Sequence, residues 1–466
     1  MQSILGLHPR IAALVLAAAF VAGCSGNGVA PSGTLPVDPT MTRILDAVKD
    51  AAPRKKISGK IKHVVIILQE NRSFDDLFQG FPGADTQSYG YTSTGQKVTL
   101  QPVGLEAPWD IDHSSTSFFE ACNGTGSLPG TNCQNNGFDR EYVGCGGAGP
   151  QCPNPDPMYG YVPRSESQPY FDMATQYVIA DRMFTSHLDA SSFISHQYII
   201  RANASSAVDY PSGMWGCDGG PYDKVNTINQ NRQIGSPIQA CFDGTTIGDE
   251  MDKAKLTWGY YTASINGDGN LWNAYQAVSH IRYGKDWTRD VIDPQTKFFD
   301  VINAGKLPNM SWVTPTCENS DHAGCDNKTG PAWVTSLVNA IGESKYWKST
   351  AIFIMWDEYG GWYDHVPPPM VDYDGLGMRV PLVVLSPYAK KSYVSHVQYE
   401  HGSLLKFAED QFGLPRIAAA DTRANSPEDD CFDFTQRPRK FVPFTAPLSL
   451  KQILAQPPDH RVPDKE

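Results

Sequence analysis

Apolar residues in this chain gather into short continuous runs that stop abruptly at charged or amide side chains. In HVVIILQENRSFDDLF, which begins at His63, Val64 to Leu68 are apolar and Gln69, Glu70, Asn71 and Arg72 follow at once. Runs of similar length recur at 257–262, 310–314, 350–356 and 380–385. They lack the alternation of a half-solvated strand, so they predict strands buried on both faces. Helical patterns lie between them. PYFDMATQYVIADRMF (169–184) has Pro near its start and a helical apolar stripe. PAWVTSLVNAIGES (331–344) repeats Trp333, Leu337 and Ile341, and HGSLLKFAEDQFG (401–413) stops at Gly413. Strands alternating with helices predict an α/β fold with a mainly parallel central sheet flanked by helices. Two stretches, about 85–165 and 205–250, are rich in Gly, Asn, Pro and Cys and read as loop-rich insertions.

Composition narrows the class. The chain has 466 residues, 41% of them hydrophobic, which is enough for a large core. Its net charge is −12 and it has no basic stripe, which argues against nucleic acid as a partner. Arg10 precedes IAALVLAAAFVAG, a stretch too short for a comfortable membrane span, and VAGC ends in Cys24. This pattern resembles a bacterial lipobox. It predicts a lipoprotein-type signal peptide at 1–23, lipidation of Cys24 and a Gly/Pro/Ser tether at 24–55. The alternative is plain secretion with cleavage nearby. Either way the protein is expected to be exported. With the lipid it is held on a membrane, facing the periplasm or cell exterior. The folded domain is expected at 56–440 and a C-terminal extension at 441–466. Export permits disulfides. The simplest local pairing is Cys122/Cys133, Cys145/Cys152, Cys217/Cys241 and Cys317/Cys325, leaving Cys431 over. There is no C-x-x-C and no zinc-ribbon spacing.

Open α/β sheets place ligands beyond the carboxyl ends of their strands. Glu70 and Asn71 follow the first run, Glu318, Asp321 and His322 follow 310–314, and Asp357 and Glu358 follow 350–356, with Asp364 and His365 further on. An oxygen-rich edge with some imidazole suits a hard or borderline divalent cation: Mg²⁺, Ca²⁺, Mn²⁺, Zn²⁺ or Fe. Each signal has a plainer reading. Glu70-Asn71 could precede a helix cap at Ser73, Asp321-His322 could be turn chemistry, and His113 could be a satisfied loop histidine. In LDASSFISHQYII (188–200), Ser191 or Ser192 stands before an apolar run carrying His196 and Tyr198. A hydroxyl there is either a helix cap or a nucleophile favoured by the helix N-terminus.

HVVIILQENRSFDDLF, ASSFISHQ, SDHAG and TAIFIMWDEYGGWYDHVPPP together resemble the bacterial phosphoesterase family of acid phosphatases and phospholipases C, related to the alkaline phosphatase superfamily. The resemblance runs from about Lys62 to the FDF at 432–434, in the family's motif order. It implies an alkaline-phosphatase-like fold and a metal held by Glu70, Asn71, Asp357, Glu358 and the nucleophile Ser192. Ala190-Ser191 stands where the family has Gly-Gly or Gly-Pro, which keeps Ser191 as a second candidate. Asp321 and His322 match a pair of the family's site, with His113, His365 and His196 as further histidines. The implied activity is a metal-dependent phosphoric ester hydrolase: an acid-phosphatase-like phosphomonoesterase working through a phosphoseryl intermediate, or alternatively a phospholipase C cleaving head groups from phospholipids. No C/S-x-P-x-R signature supports a sulfatase. A non-catalytic binding lipoprotein is the remaining alternative, opposed by the full set of ligand residues.

Overall fold

A computed structural model describes residues 59–189, 191–211, 215–263, 272–459 and 461. The expected signal peptide, Cys24 and the tether lie outside the described residues. The centre is a nine-stranded sheet. Val291–Ile292, Trp258–Tyr261, Met310–Val313, His63–Gln69 and Thr350–Trp356 are neighbours in that order and all parallel. Arg379–Leu385 then pairs antiparallel with Thr350–Trp356 on one side and with Val178–Phe184 on the other. Tyr393–Ser395 and Tyr399–Glu400 add to Val178–Phe184 in parallel. So one strand in the sheet runs against the rest.

Burial explains the runs. Every residue of Thr350–Trp356 and Arg379–Leu385 is buried, as are Val64 to Gln69. Helices cover both faces, so no position is left for the alternating polar residue of a one-sided sheet. The helix Gly330–Gly342 carries the crossover from Met310–Val313 to Thr350–Trp356, with Pro331 in its first turn. The helix His401–Phe412 ends at Gly413, whose φ of 71° is the left-handed cap that glycine takes without strain.

One expectation is corrected. The stretch 169–184 is not one helix. The helix Arg164–Gln176 ends there, and Val178–Phe184 is a strand. The pattern of VIADRMF fits either element, and its place between two strands decides it. Ser192 therefore follows a strand of the central sheet, not a helix.

The insertion at 85–165 builds a second apolar cluster, including Trp109, Ile111, Phe118, Phe138 and Tyr159, against Tyr359, Trp362 and Tyr363 of the loop after Trp356. All four local disulfides form, and Cys431 is free and buried. Two of them, Cys122–Cys133 and Cys145–Cys152, brace this insertion. Each closes a short loop, worth about 2 to 3 kcal/mol.

Candidate active site

Because the strands ending at Val313, Gln69 and Trp356 are adjacent and parallel, the residues after them meet at one sheet edge. Glu70, Asn71, Asp357 and Glu358 are all fully buried there. Asn71 has a φ of 60°, a left-handed conformation that Asn tolerates better than most residues. It turns the chain so that its N–H donates to Asp357 Oδ1 at 3.2 Å. Gly360 allows this approach: a Cβ there would lie 2.5 Å from the Asn71 carbonyl oxygen. Gly360 also donates its N–H to Glu358 Oε2 at 2.5 Å.

Ser192 opens the helix Ser192–Arg201, with Ser191 at the N-cap position. Its Oγ donates toward Glu70 Oε2 at 3.4 Å and Asn71 Oδ1 at 3.5 Å. One turn on, His196 projects from the same helix face. Its Nε2 lies 3.2 Å from Glu70 Oε1 and 3.5 Å from Asp357 Oδ2. Its Nδ1 faces the Trp272 carbonyl at 2.9 Å, an acceptor, so Nδ1 carries a proton. Nε2 then faces two carboxylates, close enough for the three to share a cation. The Asp357 carboxyl is pushed up by burial, but hydrogen bonding and charge from His196, with Glu70 and Ser192 beside it, outweigh that and bring it below its ordinary value.

His113 arrives from the insertion, just ahead of the helix Ser115–Cys122. Its Nδ1 faces the Ile111 carbonyl at 2.5 Å. Its Nε2 is 3.0 Å from Asn71 Nδ2 and 3.4 Å from Glu358 Oε1. The His322 ring lies 6.0 Å from that of His113 and 5.9 Å from that of Trp272. Three buried carboxylates (Glu70, Asp357 and Glu358), an amide oxygen, a hydroxyl and imidazole nitrogens thus converge out of water. Holding these like charges together without a cation would be costly. The donor set fits a divalent metal, with Glu70, His196 and Asp357 close enough to share one.

Other sequence candidates stand elsewhere. The Asp321 carboxylate accepts from Tyr170 Oη at 2.8 Å and Trp356 Nε1 at 3.0 Å, and burial raises its pKa to about 6. It packs beneath the sheet edge, and its backbone braces the His322 loop. Glu318 lies on the outer side of that loop, bonded to Arg461 at 3.0 Å. His365 belongs to a separate cluster. It lies 2.6 Å from Asp75 and 3.0 Å from Asp85, beside the buried pair Arg379–Asp364. Asp85 also lines a cavity of about 630 Å³ with Arg182, Phe184 and His396.

Sequence reasoning passed over His187 and His401. Both are buried near Asp357, and burial holds His401 down at about 4 and His187 well below its ordinary value. His187 Nε2 is 3.0 Å from Ser195 Oγ on the Ser192 helix. Nothing in the local pattern marks either one. His196 did carry a signal: it stands four residues after Ser192, on the same helix face.

The model of the Phosphoesterase family matches residues 61–415. Among curated proteins the chain is similar to phospholipase C A of Mycobacterium tuberculosis, 26% identical over 435 residues, covering 80% of this chain and 76% of that one. It is similar to the non-hemolytic phospholipase C of Pseudomonas aeruginosa, 25% identical, covering 78% of this chain and 56% of that protein. Non-specific phospholipase C1 of Arabidopsis thaliana is 24% identical, covering 78% and 69%. Among solved structures, an alkaline phosphatase superfamily protein from Vibrio parahaemolyticus aligns over 85% of this chain and 81% of its own, at 10% identity and a TM-score of 0.37. The family match takes in the first strand, the Ser192 helix and the Asp357-Glu358 strand end alike, so the chain belongs to the Phosphoesterase family and is a phosphoric ester hydrolase.

Proposed function

We propose that the protein is a metal-dependent phosphomonoesterase in which Ser192 is the nucleophile. The observation that carries this reading is the position of Ser192 Oγ at a helix start, 3.4 Å from Glu70 and 3.5 Å from Asn71, inside a buried carboxylate cradle. A divalent cation held by Glu70, Asn71, Asp357, Glu358 and Ser192, with His196 beside them, would supply charge neutralisation for the serine oxygen and a phosphoryl oxygen. Ser192 Oγ attacks phosphorus as its proton passes to Glu70 Oε2. The bond from phosphorus to the leaving oxygen breaks, and a phosphoseryl intermediate forms. His322, with its Nδ1–H engaged by the Ala323 carbonyl, acts as the imidazolium and protonates the leaving alcohol from Nε2. The Asn71 amide N–H stabilises a phosphoryl oxygen, and His113 Nε2 accepts from that amide and holds it in place. Water then attacks phosphorus and gives a proton to His322 Nε2, the Ser192–phosphorus bond breaks, and Glu70 returns its proton to Ser192 Oγ.

The second reading, a phospholipase C, is favoured by the names of the relatives. It uses the same groups with a diester substrate and a diacylglycerol leaving group. An aryl phosphomonoester and an aryl phosphocholine diester, each offered with and without chelator, separate the two. Monoester turnover that disappears with chelator, in Ser192→Ala and in Glu70→Ala is the expected result. Diester turnover alone would establish the phospholipase reading instead. Full activity in Ser192→Ala would remove Ser192 as nucleophile.

A further inference from the structure

His322 sits in a small loop closed by the Cys317–Cys325 disulfide. The inner side of that loop is tied to the first strand end. Gln69 Nε2 donates to the Asn319 carbonyl at 2.9 Å, Asp321 N–H donates to Gln69 Oε1 at 2.9 Å, and Arg72 Nε donates to the Asp321 carbonyl at 2.7 Å. The outer side is tied to the end of the chain. Asn319 Nδ2 donates to Gln456 Oε1 at 2.9 Å, and the Glu318 N–H donates to Asp459 Oδ2 at 2.5 Å. Arg461 Nη1 donates to the Cys325 carbonyl at 2.6 Å while its Nη2 lies 3.0 Å from Glu318 Oε2. One guanidinium therefore joins the two ends of the loop, a geometry its planar fork suits. Asp459 orients that guanidinium through Nε at 3.0 Å. These groups lie beyond residue 415, where the family match ends.

We propose that the C-terminal segment bearing Gln456, Asp459 and Arg461 is a strap that holds the His322 loop against the catalytic edge, with Arg461 as a positioning residue. The proposal rests on the reading of His322 as the acid for the leaving group. Fixing both ends of the loop narrows the range of positions the imidazole can take relative to Ser192. Removing the strap leaves the inner ties and the buried Ile453 in place, so the fold is retained. The loop gains freedom, and turnover falls more than substrate binding does.

The test compares the full-length protein with a chain ending at Ala455, Arg461→Ala and Arg461→Lys. Amide hydrogen exchange over 317–329 is measured beside kcat, KM and the pH profile on an aryl phosphate ester. In the shortened chain and Arg461→Ala, exchange in the loop is expected to quicken about tenfold while the central strands stay protected. kcat is expected to fall about tenfold with KM nearly constant, and the limb of the pH profile that reports the acid shifts. Arg461→Lys, with one charged nitrogen for two acceptors, recovers part of the loss. Unchanged loop exchange in both weakened forms would overturn the strap. Faster exchange with the same kcat and pH profile would overturn the positioning role. Faster exchange in a protein whose parent turns over no phosphate ester would support the strap and overturn the proposed function instead.

Discussion

At the scale of single residues, the site depends on which atom of each side chain is already engaged. His196 and His113 both present Nδ1 to a backbone carbonyl, which leaves Nε2 facing carboxylates. A carbonyl behind a ligand histidine fixes the ring and its tautomer. Replacing His196 with Ala should therefore weaken metal retention by about tenfold or more without changing the strands. Metal content after dialysis against graded chelator measures this, and unaltered retention would remove His196 from the ligand set. Ser192→Ala should lower turnover by on the order of 10³-fold or more while still binding metal, since Glu70, Asn71 and Asp357 remain. The two substitutions, one helical turn apart, are expected to separate binding from chemistry.

At the scale of elements, close backbone approach is what joins the first strand end to the Asp357 strand end. Gly360 has a φ of 62° and stands where a side chain would strike the Asn71 backbone. Gly360→Ala should cost roughly 1 to 3 kcal/mol of stability and lower activity along with it. Gly80→Ala is the control, because Gly80 shares the positive φ but has nothing within 4 Å of the added carbon. A Gly360→Ala enzyme as active as Gly80→Ala would contradict the close-approach argument. A second element-level prediction concerns the helix His401–Phe412, which packs on Ala419–Arg423. Burial and the neighbouring Asp421 push the Glu409 carboxyl up to about 10, against the opposing pull of Arg416. Between pH 4.5 and about 10 the folded chain keeps a proton that the unfolded chain releases, so stability falls as pH rises through that window. Glu409→Gln should flatten the fall of Tm between pH 6 and 9. An identical slope in both proteins would sink the assignment.

At the scale of the whole molecule, the insertion does two jobs. It caps the loop after Trp356 with Trp109, Phe138 and Tyr159, and it delivers His113 to the sheet edge that carries Asn71. Its two disulfides brace a segment whose regular structure is short, the helix Ser115–Cys122 and strands of two or three residues. Mild reduction should therefore lower Tm by several degrees and reduce activity, while far-UV circular dichroism of the central sheet is retained. Full activity with all bridges reduced would mean the insertion holds its shape unaided. Four disulfides suit an oxidising compartment, in keeping with an exported chain. None of the described helices is long and apolar enough to cross a membrane. Anchoring through Cys24 remains a proposal, tested by palmitate labelling of the parent and its loss in Cys24→Ala.

Much of this was legible in the chain itself. The five apolar runs became strands within one or two residues, because runs without polar alternation suit strands buried on both faces. Glu70, Asn71, Asp357 and Glu358 stood out because each follows such a strand directly, and a parallel sheet gathers strand ends at one edge. The local cysteine spacing matched the four bridges. Other features could come only from the tertiary structure. Val178–Phe184 takes its strand form from the neighbours on either side, since its own pattern fits a helix as well. Asp321 and His365 sit among the same residue types as the proposed ligands, but the carboxylate of one turns to Tyr170 and the other packs with Asp75. His187 and His401 reach the site from positions far apart in the chain. Local sequence sets periodicity and strand ends through short-range sterics and burial. Which side chains face one another depends on contacts between distant segments, and only the folded chain brings those together.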